Sequence, residues 1–110
     1  MSWQSVLLLT LSSVLAAIGQ VMLKFSATGR TSLAEHINPW LVGGLLCYGA
    51  GAVLWIYCLG RVPLLRAYPF TSLAFLLTVL AGVWLLGEPA GPLYWAGLGL
   101  ILAGLLLVSL

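Results

Sequence analysis

Six charged side chains are the natural starting point in this chain of 110 residues, because little else in it could do chemistry. They are Lys24, Arg30, Arg61 and Arg66, with Glu35 and Glu88; the single histidine is His36. Lys24 follows Gln20 by four residues. On a helix the two share a face, so a cation and an amide stand ready for an anionic group. The plainer use of such a lysine is to snorkel to a membrane interface. Arg66 and Tyr68 open an apolar run that closes on Glu88. A carboxylate at one end of the chain's apolar runs and cations at their edges suit the opposite charges of a zwitterionic substrate. A salt bridge between Lys24 and Glu88 is the plainer alternative. No nucleophile–base pair, phosphate loop or metal cluster accompanies these residues, so enzyme catalysis and cofactor or metal binding find no support.

The elements that must position these residues follow from composition. Hydrophobic residues make up 63% of the chain and charged residues 5%, against about 25% charged in a soluble domain. No water-facing shell can be built from so few charges, and the class is an integral membrane protein. The net charge of +2 is too small and scattered for nucleic acid. Cys47 and Cys58 lie in one apolar segment, about 16 Å apart on a helix, which is too far for a disulfide. They read as small buried thiols.

A spanning helix needs about 20 mostly apolar residues. Four segments meet or approach this: 3–25, 39–59, 67–86 and 93–110. Together they predict an all-α membrane protein, a single four-helix transmembrane domain over residues 1–110. Asn38-Pro39 reads as a helix cap followed by a first-turn proline. Gly60-Arg61-Val62-Pro63 reads as a tight link, and Pro69 falls in the first turn of the third helix. The first segment has no basic leader and keeps polar residues to Lys24, so it reads as a retained helix rather than a cleaved signal.

Four crossings put both termini, Arg61 and Arg66 on one side of the membrane. Lys24, Arg30, Glu35, His36 and Glu88 then fall on the other. Two basic residues face two, so charge bias hardly sets the orientation, although the acid-free loop at Arg61 and Arg66 slightly favours cytoplasmic termini. The balance leaves dual insertion and an antiparallel dimer open.

Helix faces add detail. Ser13, Ala17, Gln20 and Lys24 recur at helical spacing and should look inward, since an unpaired amide in lipid costs several kcal/mol. Gly44, Cys47, Gly51 and Cys58 form a packing seam. Tyr48 and Trp55 form an aromatic stripe that either lines a cavity or faces lipid. Tyr68, Thr71, Phe75, Thr78 and Gly82 share a face whose hydroxyls either bond across helices or line a polar path. Gly97 and Gly104 suit a helix–helix or dimer contact.

Three motifs carry a resemblance: Gly19-Gln20-Val21-Met22-Leu23-Lys24, then Arg61-Val62-Pro63-Leu64-Leu65-Arg66-Ala67-Tyr68-Pro69, then Gly87-Glu88-Pro89 before the glycines of the last segment. In order and spacing the chain resembles the small, four-helix form of the drug/metabolite transporter superfamily. One branch, the small multidrug resistance exporters, works as antiparallel dimers with a first-helix glutamate eight residues before the lysine of a Lys-Phe-Ser run. Here Lys24-Phe25-Ser26 is present, but that position holds Ala16, which cannot exchange a proton for a cation. The chain is more similar to the subunits that flip aminoarabinose-phosphoundecaprenol across the bacterial inner membrane. That resemblance implies a transporter rather than an enzyme, a lipid-linked aminosugar substrate, and a homodimer or a heterodimer with a similar subunit. It implies Lys24 or Arg66 for the phosphate and Glu88 for the amine, with Gln20 and Tyr68 alongside. A multidrug-type exporter and a non-transporting accessory subunit are the alternative expectations.

Overall fold

The computed structural model describes residues 2–110, and all described elements are helical. The first helix, α1 (Trp3–Ala27), starts where the Ser2 hydroxyl accepts the Ser5 amide at 3.2 Å, satisfying one of the free donors of a helix start. Its far end is closed by Thr28, whose amide donates to the Lys24 carbonyl at 2.9 Å. Arg30 donates to the Phe25 carbonyl at 2.7 Å, a cation on the negative end of the helix dipole. The following loop contains a one-turn helix, α2 (Leu33–His36), capped by Ser32.

Asn38 then caps α3 (Pro39–Leu59), accepting from the Trp40 amide at 3.0 Å. Its amide nitrogen also donates to the carbonyls of Ser26, Glu35 and His36. One side chain thus fastens the loop to both long helices. At the other end of α3, Arg61 folds over the Tyr57 ring at 4.1 Å from its centroid.

The third long segment differs from the expectation. It begins at α4 (Leu64–Ala67), passes through a 3-10 turn (Tyr68–Phe70), and continues as α5 (Thr71–Trp84). Pro63, with φ −57° and ψ 143°, starts the helix three residues early. Pro69 therefore sits in the second turn, where its ring and missing N–H disturb the α pattern. Tightening to 3-10 geometry accommodates it. Thr71 and Ser72 hydroxyls take up the carbonyls of Tyr68 and Pro69. Beyond α5 the chain turns at Gly87, whose φ of 67° suits a residue without a Cβ. The Glu88 amide donates back to the Gly82 carbonyl at 3.0 Å. Pro92 then opens α6 (Pro92–Ser109).

Three stretches are long and apolar enough to cross a membrane: α1, α3 and Leu64–Trp84, with mean hydropathies of 2.2, 1.8 and 1.6. The fourth apolar helix, α6, is shorter. Its 18 residues span about 27 Å, against about 37 Å for the 25 residues of α1.

The tightest packing runs between α1 and α3. A Cβ on Gly51 would lie 2.9 Å from the Ser12 carbonyl oxygen, and one on Gly19 would lie 3.0 Å from the Gly44 carbonyl oxygen. Glycine lets the backbones approach, and the Ser12 hydroxyl uses that closeness to donate to the Gly51 carbonyl at 2.7 Å. Leu9, Cys58, Val62 and Ala67 form the buried cluster at the end of this seam. Ser13 joins α1 to the 3-10 turn, with its hydroxyl 2.9 Å from the Leu9 carbonyl and 2.8 Å from that of Phe70. By contrast, α6 meets the rest of the chain chiefly at that turn. Gly97 and Gly104 have open space where a Cβ would stand.

Candidate functional site

Three of the six charges are occupied by local structure. Arg30 closes the end of α1. Glu35 accepts the Thr31 amide at 3.2 Å. Arg61 lies on Tyr57. The side chains of Lys24, Arg66 and Glu88 have no hydrogen-bond or ion-pair partner among the described residues, and all three are exposed.

These free charges stand at cavities. Gln20, Lys24 and Glu88 border one cavity of about 210 Å³, with Thr78, Gly82 and Leu86 completing much of its wall. The cavity opens between the end of α1 and the end of α5. The plainer alternative, a salt bridge between Lys24 and Glu88, is not formed among the described residues, so two opposite charges face one space without neutralising each other. The inward face of α1 is buried at Ser12, Ser13 and Ala17. At Gln20 and Lys24 it is exposed instead, because the cavity lies there rather than a packed neighbour. A second cavity of about 320 Å³ continues on the other side of Glu88, toward Pro89 and Tyr94, and shares Thr78 and Gly82 with the first.

Glu88 owes its place to two features. The turn at Gly87 brings it back beside α5, and its carboxylate then lies over Gly82. A Cβ built on Gly82 would come within 2.9 Å of Glu88 Oε1.

Arg66 stands at a different cavity, of about 450 Å³, with Pro69, Phe70 and Ser72. Val6 and Val108, close to the two chain ends, border it as well. The two ends of the chain and Arg66 are therefore together, while Lys24 and Glu88 are together elsewhere. Tyr68 belongs to neither cavity. It borders a groove of about 220 Å³ between α1, α3 and α5, with Ser12, Ala16, Tyr48, Trp55 and Thr71 among its lining. Its ring meets Trp55 edge-on, centroids 6.2 Å apart. The Tyr48 and Trp55 stripe thus lines a cavity. The α5 hydroxyls do not bond across helices: Thr78 donates to its own Ala74 carbonyl at 2.7 Å.

Sequence reasoning did not place Thr78 and Gly82 beside Lys24. Their four-residue spacing put them on one face of a helix, but the crossing of α1 and α5 decides which residues that face meets.

Apolar helices that leave unpaired charges only at cavities are the build of a membrane transporter rather than of a soluble fold. The family comparison agrees: the model of the EamA-like transporter family matches residues 2–110, and the chain belongs to that family. Among curated proteins it is 38% identical over 105 residues to a probable 4-amino-4-deoxy-L-arabinose-phosphoundecaprenol flippase subunit ArnE of Klebsiella pneumoniae, covering 92% of each chain. The subunit of the same description in Sodalis glossinidius is 39% identical, over 91% of this chain and 92% of its own. That of Escherichia coli O157:H7 is 37% identical, over 94% and 95%. No solved structure matches the chain. With bacterial relatives and apolar spans of this kind, it is a multi-pass protein of the bacterial inner membrane.

Proposed function

We propose that this chain is one subunit of a flippase that moves a polyprenyl-phosphate-linked aminosugar across the inner membrane. In this reading α1, α3, the Leu64–Trp84 stretch and α6 form one four-helix transmembrane domain. The domain works as a dimer, with a second copy or a similar subunit, because one chain encloses only small, open cavities. No covalent step is required of it: the substrate enters and leaves with the same bonds.

One observation carries the reading. Lys24 and Glu88, opposite in charge and free of partners, border one cavity with Gln20 between α1 and α5. A lysine suits a phosphate, a carboxylate suits an ammonium group, and a head group carrying both would bridge the two. Arg66 and Tyr68, near the end of the bundle that holds the chain termini, offer a cation and a phenol for the other stage of the crossing. The relatives named for flipping such a lipid support the choice of substrate. Export of cations by a multidrug-type mechanism is disfavoured by Ala16, which puts a methyl group in the central groove where an acid would be needed.

The test is translocation of the lipid-linked aminosugar by Lys24→Ala and Glu88→Gln variants in proteoliposomes, together with the partner subunit where one is required. Each is expected to abolish flipping while expression and insertion stay intact. Normal flipping by both would remove the site. Lipids that copurify in mild detergent should include a polyprenyl phosphate by mass spectrometry.

A further inference from the structure

Gly82 touches nothing in the proposed site through a side chain of its own, yet its position decides where the Glu88 carboxylate can lie. The Glu88 amide is tied to the Gly82 carbonyl at 3.0 Å, so the two backbones are held in register. Within 4 Å of a Cβ built at Gly82 there are two atoms, Glu88 Oε1 at 2.9 Å and Glu88 Cδ at 4.0 Å. At 2.9 Å a carbon and an oxygen overlap, so the carboxylate rests in the space that a methyl group would fill. Gly82 also borders both cavities that flank Glu88, the one shared with Lys24 and the one reaching Tyr94.

We infer that Gly82 is a positioning residue, the bare spot on α5 that holds the Glu88 carboxylate at the wall between these cavities and so sets selectivity for an amine-bearing head group. The inference rests on the reading of Glu88 as the amine site. An added methyl group would meet only the tip of a flexible side chain. The backbone tie prevents Glu88 from backing away, so the side chain must turn to another rotamer. The fold loses nothing by this, and alanine in place of glycine inside a helix favours the helix. A residue important only for packing would behave in the opposite way, weakening the fold first and binding as a consequence.

The experiment uses the full chain in lipid nanodiscs, with its partner subunit if it has one. Two short-chain polyprenyl phosphosugar probes are compared, one bearing an amine and the other a hydroxyl at the same carbon. Wild type is expected to prefer the amine by about tenfold, the order of one charge-assisted contact in a partly wet site. Gly82→Ala should lower that preference to about twofold or less, through weaker binding of the amine probe, and leave the melting temperature equal or higher. Glu88→Gln should lose the preference to the same extent. If Glu88→Gln loses it and Gly82→Ala keeps it, the positioning role is wrong and the site stands. If wild type shows no preference for the amine, or Glu88→Gln keeps it, the site reading fails and takes this inference with it. If Gly82→Ala loses affinity for both probes and melts lower, its role is structural and the inference is overturned.

Discussion

Two glycines of α3, Gly49 and Gly51, should respond to alanine with opposite signs. A Cβ on Gly51 would lie 2.9 Å from the Ser12 carbonyl oxygen, 3.3 Å from Leu15 Cβ and 3.4 Å from the Ala16 nitrogen. All three neighbours are backbone or directly attached to it, and none can swing aside. The helices must separate by a few tenths of an ångström, and overpacking of that kind costs about 1–3 kcal/mol. The same separation stretches the 2.7 Å bond from the Ser12 hydroxyl to the Gly51 carbonyl, worth about 0.6 kcal/mol on average between membrane helices. The helix propensity of alanine returns about 0.5–1 kcal/mol. The net expectation for Gly51→Ala is a loss of about 0.6–3 kcal/mol. At Gly49 no atom lies within 4 Å of the same methyl group, so only the propensity gain remains, up to about 1 kcal/mol. Reversible denaturant unfolding in mixed micelles measures both. A double-mutant cycle adds a further check: Ser12→Ala should weaken wild type more than it weakens Gly51→Ala, because the bond is already strained there. Gly51→Ala as stable as Gly49→Ala would refute the close α1–α3 seam.

Other outcomes can be checked alongside. Asn38→Ala removes a cap and three donated bonds, so the Trp40 and Leu41 amides should exchange hydrogen faster, with a loss of about 1 kcal/mol and little change in transport. Cys58 is 1% exposed and Cys47 half-buried, so a membrane-permeant maleimide followed by mass spectrometry should modify Cys47 roughly tenfold faster. Gly97→Leu and Gly104→Leu place bulk where the chain itself has open space. Folding of the single chain should be unaffected while crosslinked dimer falls severalfold; unchanged dimer would move the partner contact away from α6.

The apolar spans were legible in the sequence because a lipid-exposed helix must be apolar over its length. So were the Asn38-Pro39 cap and the glycine face of α3, which depend on local residue types and on spacing along one face; that α1 is the helix packed on that face was not. Pro69 misled, because a proline near a helix start suggests the first turn; Pro63 starts the helix instead, and a 3-10 turn absorbs Pro69. The meeting of Lys24 with Thr78, Gly82 and Glu88 was only half legible. Charge and topology put Lys24 and Glu88 at one end, but the side of α5 they meet on depends on how two helices cross, which no period in the sequence records. The place of α6 was the least legible, since a helix apolar all round shows no preferred face.

The unequal lengths of α1 and α6 bear on the lipid around them. A hydrocarbon layer of about 30 Å is shorter than α1 and longer than α6, so the two cannot both match it upright. The long helix tilts or protrudes, and a short helix that crosses draws the two leaflets toward each other, at a fraction of a kcal/mol for each ångström of mismatch. In the proposed four-crossing arrangement the bilayer would be thinnest along the flank where Tyr94 of α6 borders the Glu88 cavity. A polar group moving along that flank would then have less oil to cross.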